Sequence, residues 1–273
     1  MSPKTLVVPL DGSEWAERAL PIADALADRI GGRLVLVSSQ YYGPIDPTEY
    51  LEEMAARHKR NPVDIVTTKD TYAAEVIVEA VQASDDRVVC MTTHGRGSVR
   101  WAALGSVAEE VIRRAERPTI LVGRHCRPDF LAGAPNLLAA ADGSDNSAEL
   151  ATAARDWAGA LGLDLRATVV VHPLDVESAE HSFDLMTPIA ADFGLADRTK
   201  VTMVRSNYPA GAIADLAAEL PAALIGLNCH GRTGLARFAL GSVTMGVVHL
   251  ASCPVLVTHR EGRPANGTEG AGQ

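Results

Sequence analysis

The sequence contains two copies of one pattern, and this internal repeat constrains the possible folds more than any other feature. His94 opens the segment His-Gly-Arg-Gly-Ser, and His230 opens His-Gly-Arg-Thr-Gly 136 residues later. The same spacing of 136 residues separates Gly105 from Gly241, each of which is followed by Ser-Val. Because matched segments recur in the same order at one offset, the repeat indicates a duplicated domain.

A second shared segment lies near the start of each half. Asp-Gly-Ser begins at Asp11 and again at Asp142, 131 residues later, so the second half carries five extra residues, net, before its histidine. Within residues 124–135, Arg-Pro, Gly and Pro interrupt the pattern and mark the boundary. We predict domains over residues 1–126 and 135–260, followed by a disordered tail over residues 261–273.

Both halves show alternating strands and helices. In the first half, we predict strands at 5–10, 34–37, 64–67, 88–92 and 119–122, and helices at 14–30, 49–58, 73–83 and 106–115. In the second, we predict strands at 137–141, 167–171, 201–204, 223–227 and 255–258, and helices at 148–161, 210–220 and 242–250. Pro21 predicts a kink in the first helix. Over residues 173–199 we predict a loop with a helix.

Apolar strands separated by helices indicate parallel sheets covered on both faces. The predicted fold class is therefore α/β, with two tandem doubly wound domains, each a five-stranded parallel sheet flanked by helices. The last strands of the halves, residues 119–122 and 255–258, would each leave an unpaired edge that invites pairing with another strand.

Charge and composition limit the kinds of partner that the chain can bind. The formal net charge of −9 argues against nucleic acid as a partner, and no apolar run reaches the ~18 residues of a membrane span. The chain starts directly with a strand and shows no signal peptide, so we expect it in the cytoplasm. Its cysteines have no metal-site spacing, and we interpret them as small buried apolar residues, with a redox role as the alternative.

The residues that could carry chemistry follow the predicted strands. Ligands of open parallel sheets bind beyond the carboxyl ends of the strands, where the strand order switches. Asp11 and Asp142 each end a first strand, and a Gly-Ser pair opens a later helix whose free N–H groups and dipole favour phosphate. Each half thus offers an acidic residue for a nucleoside and glycine turns for an anion. The two pairs are Gly105-Ser106 and Gly241-Ser242.

These motifs resemble those of the universal stress protein family, whose ATP-binding members carry Gly-x2-Gly-x9-Gly-[Ser/Thr] after the fourth strand. Gly95 and Gly231 occupy the second glycine, and the closing Gly-Ser pairs follow at the right spacing. The resemblance covers residues 4–123 and 137–258. It implies Rossmann-like domains of the adenine nucleotide α hydrolase type that bind ATP or a related adenine nucleotide.

The resemblance also implies a set of nucleotide-binding residues, with none of them a metal ligand. In the first half these are Pro9, Asp11, Thr92, His94, Gly95, Arg96, Gly97, Ser98, Gly105, Ser106 and Val107. In the second half they are Ala140, Asp142, Asn228, His230, Gly231, Arg232, Thr233, Gly234, Gly241, Ser242 and Val243. Because so few cations line this pocket, we expect Mg²⁺ to accompany a bound triphosphate.

The chain departs from the family pattern at its first glycine, which is replaced by Thr92 and by Asn228. A side chain there either adds a hydrogen bond to the ribose or crowds it, so the two halves could differ in binding.

Other readings of the remaining motif residues stay open. Each Asp-Gly-Ser could be only a turn that leads to a helix cap, and each motif serine could be a plain cap. The motif histidines suit a structural or pocket-wall role better than a metal site. For the motif arginines, contact with phosphate and exposure to solvent both stay open. We interpret the tryptophans as packing residues rather than as platforms for base stacking. The residues concerned are His94, His230, Arg96, Arg232, Trp15, Trp101 and Trp157.

The leading functional hypothesis is a nucleotide-binding stress regulator. The chain has no Walker Gly-x4-Gly-Lys-[Ser/Thr], no His-x-Gly-His and no Lys between Asp85 and Arg127, so we do not predict a dedicated enzyme, although slow ATP hydrolysis stays open. The alternative from another class is a nucleotide-free scaffold that acts through protein–protein association. A nucleotidyl-transfer enzyme is a third reading, disfavoured because no nucleophile or metal cluster is evident.

The resemblance also predicts assembly. Family members pair through the last strand across a two-fold axis. We therefore expect the halves of this chain to pair there as an internal pseudo-dimer, and whole chains to form a homodimer. We also expect a further protein partner, whose identity the sequence does not give.

Overall fold

Strands and helices alternate through both halves of the chain in the computed structural model. The model describes residues 3–40, 47–58, 60–69, 71–94, 104–115, 117–143, 147–174, 179–229 and 240–258. The first half contains β1 (Thr5–Pro9), α1 (Glu14–Glu17), α2 (Ala19–Ile30), β2 (Arg33–Gln40), α3 (Pro47–Arg57), β3 (Val63–Lys69), α4 (Ala73–Gln82), β4 (Arg87–Thr92), α5 (Ser106–Ala115) and β5 (Thr119–Val122).

The second half repeats this order. It contains β6 (Asn136–Ala141), α6 (Ser147–Leu161), β7 (Asp164–Val171), α7 (Ala179–Asp192), a 3₁₀ turn (Arg198–Lys200), β8 (Val201–Arg205), α8 (Pro209–Glu219), β9 (Ala222–Asn228), α9 (Ser242–Leu250) and β10 (Val255–Thr258). The order confirms the predicted α/β class.

The strands form one ten-stranded sheet in the order β3-β2-β1-β4-β5-β10-β9-β6-β7-β8. Within each half every pair is parallel. The chain moves outwards from β1 to β3 and then crosses back to β4, so the strand order switches between β1 and β4, and likewise between β6 and β9. Parallel pairing with helices as crossovers gives each half the predicted doubly wound arrangement.

The two halves meet through their last strands. β5 and β10 pair antiparallel, with Thr119 opposite Val257 and Leu121 opposite Val255. Both strands are fully buried four-residue apolar runs, so neither presents an edge to solvent. This pairing through the last strands is the one that we predicted between the two halves.

The first helix differs from the prediction. We predicted one helix over residues 14–30 with a kink at Pro21, and the structure instead has α1 and α2 with a break at Arg18. Proline lacks an N–H and its ring clashes with the carbonyl four residues earlier, which here belongs to Glu17. The break therefore falls at the carbonyl that Pro21 cannot accommodate, and Pro21 itself sits in the first turn of α2, where proline is tolerated.

The core consists of aliphatic side chains between the sheet and the helices, among them Leu6, Leu36, Ile120 and Leu256, which are fully buried. Trp157 of α6 also lies in this core, which agrees with its predicted packing role. No helix within the described ranges is both long and apolar enough to cross a membrane. The predicted tail, residues 261–273, lies outside the described residues.

Candidate functional site

The first strand of each half delivers an aspartate to the carboxyl edge of the sheet. Asp11 follows β1, and Asp142 follows β6 directly. Pro9 is the last residue of β1, while Ala140 is the last but one of β6 and is buried. Both aspartates therefore stand beside the switch in strand order, where doubly wound sheets bind their ligands.

The carboxylate of Asp11 takes part in a turn. Its Oδ1 accepts hydrogen bonds from the N–H of Ser13 at 3.0 Å and from the Ser13 hydroxyl at 2.6 Å. The Ser13 Oγ in turn accepts the N–H of Ala16 at 3.2 Å and caps α1. Gly12 between them has φ 78°, a conformation that favours glycine. The turn-and-cap reading of Asp-Gly-Ser is therefore correct for the first half as a description of local structure.

Tyr50 of α3 covers this turn, a contact that the sequence did not reveal. The Tyr50 hydroxyl donates to Glu17 Oε1 at 3.0 Å. It also interacts electrostatically with the Asp11 carboxylate. Burial, together with the nearby Glu17 carboxylate, raises the pKa of the Tyr50 hydroxyl. Tyr50 therefore stays protonated and donates a hydrogen bond beside the acidic end of the candidate site.

The motif loops are closed by the same backbone hydrogen bond in both halves. The N–H of Gly105 donates to the carbonyl of Thr93 at 2.8 Å, and the N–H of Gly241 donates to the carbonyl of Cys229 at 2.7 Å. A Cβ on Gly105 would lie 3.0 Å from that Thr93 oxygen. In the first half, Gly105 thus allows a close approach of two backbone segments. In both halves the hydrogen bond places the start of α5 or α9 beside the end of β4 or β9.

The helix that follows begins without a capping side chain in the second half. Gly241 is the N-cap of α9, with φ −66°, and Ser242 is the first helical residue. The alternative reading of Ser242 as a plain cap is therefore wrong, and Ser106 is likewise the first residue of α5. Because glycine has no side-chain oxygen to offer, it leaves the first-turn N–H groups of α9 to another acceptor. Val107 and Val243 follow as half-buried residues.

The two side chains that replace the first motif glycine bond within the protein. The Thr92 hydroxyl donates to the carbonyl of His94 at 2.7 Å. The Asn228 Oδ1 accepts the Thr258 hydroxyl at 2.6 Å, and the Asn228 carbonyl accepts the Thr244 hydroxyl at 2.8 Å. These contacts fix the ends of β4 and β9. Whether either side chain meets a ribose stays a prediction.

Several predicted site residues fall in the loops between these anchors and lie outside the described residues. In the first half they are Gly95, Arg96, Gly97 and Ser98, and in the second half His230, Gly231, Arg232, Thr233 and Gly234.

His94 lies in a small cleft where the two halves meet, and this cleft was not predicted. The cleft is lined by Trp15, Thr92, Thr93, His94, Val122, Arg124 and His249. His94 is buried, its Nδ1 is 2.8 Å from the Thr93 hydroxyl, and its ring stacks on that of His249 with the centroids 6.2 Å apart. The pocket-wall reading of His94 agrees with this position. Across the described ranges, no three His, Cys, Asp or Glu side chains gather as a metal site.

The two halves match one family model. The model of the universal stress protein family matches residues 3–123 and again residues 134–259, which together make up most of the chain. The chain belongs to the universal stress protein family. The two matched segments correspond to the two repeats found in the sequence and to the two halves of the sheet.

Relatives with the same family name occur in bacteria and archaea. Universal stress protein Rv2005c of Mycobacterium tuberculosis is 31% identical over 196 residues, covering 65% of this chain and 63% of the relative. Universal stress protein Rv1996 of the same organism is 29% identical over 198 residues, covering 65% of this chain and 60% of the relative. The chain thus spans about 60% of the length of these relatives.

Solved structures of universal stress proteins share the fold along almost the whole chain. One from Archaeoglobus fulgidus has a TM-score of 0.65 at 18% identity and covers 94% of this chain and 98% of its own. A putative universal stress protein from Pseudomonas aeruginosa has a TM-score of 0.65 at 17% identity, covering 94% of this chain and 93% of its own. At these identities the likeness shows the tandem universal stress protein fold.

Proposed function

We propose that each half of this universal stress protein binds ATP or a related adenine nucleotide, and that the chain acts as a cytoplasmic stress regulator rather than a dedicated enzyme. The observation that supports this most strongly is the repeated closure of the motif loop. In both halves, one backbone hydrogen bond from the motif glycine sets a helix N-terminus against the end of the fourth strand. A phosphate site at these helix starts would account for the presence of this closure in both halves.

The proposal assigns a role to each part of the site. Asp11 and Asp142 face the nucleoside, and the first turns of α5 and α9 receive the phosphates through their N–H groups and positive dipole ends. Tyr50 adds a neutral hydroxyl beside Asp11 in the first half. Mg²⁺ would accompany a triphosphate and offset charge that these residues leave uncompensated.

The direct test combines mass spectrometry with calorimetry. Protein purified from cells is denatured, and the released small molecules are identified by mass; the protein freed of them is then titrated with ATP, ADP and AMP. We expect an adenine nucleotide to co-purify and ATP to bind at up to two sites per chain. A nucleotide-free sample that also gives no heat with any of the three would contradict the proposal.

A nucleotide-free scaffold is the second candidate. It is favoured by the Asp11 carboxylate, which already accepts two hydrogen bonds from Ser13, and by the Thr92 hydroxyl, which already donates to His94. In that case the glycine closure serves only the packing of the loop. Such a scaffold would act through association, including the homodimer of whole chains that we predict. The titration separates the two candidates, because a scaffold binds no nucleotide in either half.

A further inference from the structure

Helix α9 of the second half reaches into the first half's site. His249 lies in the last turn of α9, and its ring stacks on His94, two residues after β4, with an interplanar angle of 26°. The Thr93 hydroxyl lies 2.8 Å from Nδ1 of the same His94 ring, within hydrogen-bonding distance. His94 therefore lies between a contact from its own half and a contact from the other half.

The same helix also begins at the second half's site. Ser242 opens α9 and His249 is near its end, a distance of roughly 10 Å at ~1.5 Å per residue. Gly123, just after β5, packs against the backbone of Val248. That contact seats the end of α9 against the end of β5, so α9 spans from the second half's site to the cleft beside His94.

The two junctions differ in chemistry. The residue 136 positions before His249 is Arg113, and its partner by the same spacing would be His230 in place of His94. Arg113 belongs to α5 and forms an ion pair with Glu110. The repeat therefore equates His249 of α9 with Arg113 of α5.

Among the described residues, the charged side chain that lines the cleft is a cation. Arg124, which follows β5, lines the cleft, and Arg18 lies over the ring of Trp15 at 5.0 Å while its Nη2 donates to the Arg124 carbonyl at 2.8 Å. No carboxylate lines the cleft among the residues that the structure describes. Burial lowers the pKa of His249, and the nearby His94 and Arg124 lower that pKa further. The stack is therefore favoured when both imidazoles are neutral.

We propose that His249 is a positioning residue of the first nucleotide site and that its stack on His94 is a proton-sensitive contact between the two halves. With both rings neutral, the stack holds the end of α9 against His94, just after β4. Protonation of either ring puts a cation beside Arg124 and the other histidine, which weakens this contact. The effect on nucleotide binding rests on the proposed function, whereas the contact itself does not.

The direction of the pH dependence follows from linkage. Histidine in an unfolded chain titrates near pH 6.5, and His249 in the folded chain titrates lower. The unfolded chain therefore binds protons that the folded chain does not, so the contribution of this contact to stability is fully present above about pH 6.5 and is lost as the pH falls below it. Acidification should weaken the junction between the halves.

The test uses the full chain and four proteins: wild type, His249→Gln, His249→Arg and His125→Gln. Gln is neutral at every pH, whereas Arg is always charged and copies Arg113, the matching residue of α5. His125 is an exposed histidine one residue from Arg124, so its replacement is the matched control. Urea unfolding midpoints and ATP affinities are measured at pH 7.5 and pH 5.5 for all four.

We expect the midpoint of wild type and of His125→Gln to fall on acidification by the same amount, and that of His249→Gln to fall clearly less. The unfolding midpoint of His249→Arg should be low at both pH values. ATP affinity should follow the same ranking. An equal fall for wild type and His249→Gln overturns the proton-sensitive contact. If the midpoints behave as expected but ATP affinity does not differ between these proteins, the positioning role is overturned. If no protein binds ATP, it is the proposed function that fails, while the midpoints still decide the contact.

Discussion

Gly123 lies directly against the main chain of Val248, so close that a Cβ on the glycine would sit 1.8 Å from the Val248 carbonyl oxygen. Gly123 follows β5 of the first half, and Val248 belongs to α9 of the second. We expect Gly123→Ala to destabilise the chain by ~1–3 kcal/mol or more, because a backbone segment must move to accept the methyl group. Urea unfolding measures this change.

The control for that substitution is Gly159→Ala. Gly159 lies inside α6, is exposed, and has open space where a Cβ would be. Alanine there should stabilise the chain by ~0.5–1 kcal/mol, since glycine is the poorer helix former. If both substitutions have the same small effect, the close contact between Gly123 and α9 does not hold the halves together.

Replacing Gly241 by valine tests the phosphate site of the second half. The branched side chain would stand at the start of α9, where the proposal puts phosphate, and each charge-assisted hydrogen bond lost is worth ~1.5–3 kcal/mol, or about ten- to over a hundredfold in affinity. Calorimetry should therefore show half the ATP stoichiometry if both halves bind. Melting must be recorded as well, because Gly105→Val, the partner variant, also brings a side chain against Thr93. A folded double variant that binds ATP normally would rule out this phosphate site.

Asp11→Ala and Ser13→Ala separate the local role of the first aspartate from a binding role. Ser13→Ala removes the cap of α1 and should cost ~0.5–2 kcal/mol. If Asp11 also faces the nucleoside, Asp11→Ala should weaken ATP binding. Ser13→Ala should leave the ATP affinity nearly unchanged. Equal ATP affinity in both variants would reduce Asp11 to a turn residue. Unfolding and calorimetry on the same samples distinguish the outcomes.

Chelation of Mg²⁺ should lower the affinity for ATP and leave that for AMP almost unchanged. The described part of the site offers backbone N–H groups and hydroxyls rather than several cations, so the charge of a triphosphate needs a counterion that a monophosphate needs less. The measurement is calorimetry with each nucleotide, with and without a chelator. An unchanged ATP affinity would make Arg96 and Arg232 the main candidates for balancing that charge.

The fold could be predicted from the sequence because its strands are short apolar runs with clear ends. β5 and β10 begin and end at the predicted residues, each just after a proline. Helix α7 was not located, since Pro188 lies inside it and weakens the helical pattern. Proline also explains the break between α1 and α2. We predicted that Pro21 would kink this helix at Pro21 itself, but the break lies three residues earlier, at Arg18.

The site could be predicted only in part. The motif residues Thr93 and Gly105 do lie together, because the start of α5 is hydrogen-bonded to the chain just after β4. His249 was missed because it is 155 residues from His94 and belongs to no motif. The antiparallel pairing of β5 with β10 brings the two histidines together. The repeat gives no hint of this contact, because the residue that matches His249 in the first half is Arg113.

The pairing of β5 with β10 inside one polypeptide also has an evolutionary consequence. In an assembly of identical subunits, any substitution at the junction appears on both sides of the symmetry axis and must suit both. Here the two sides are encoded separately, so one can carry His249 while the other carries Arg113. Carrying both halves on one chain thus frees this junction from the constraint of exact symmetry, so its two sides can differ.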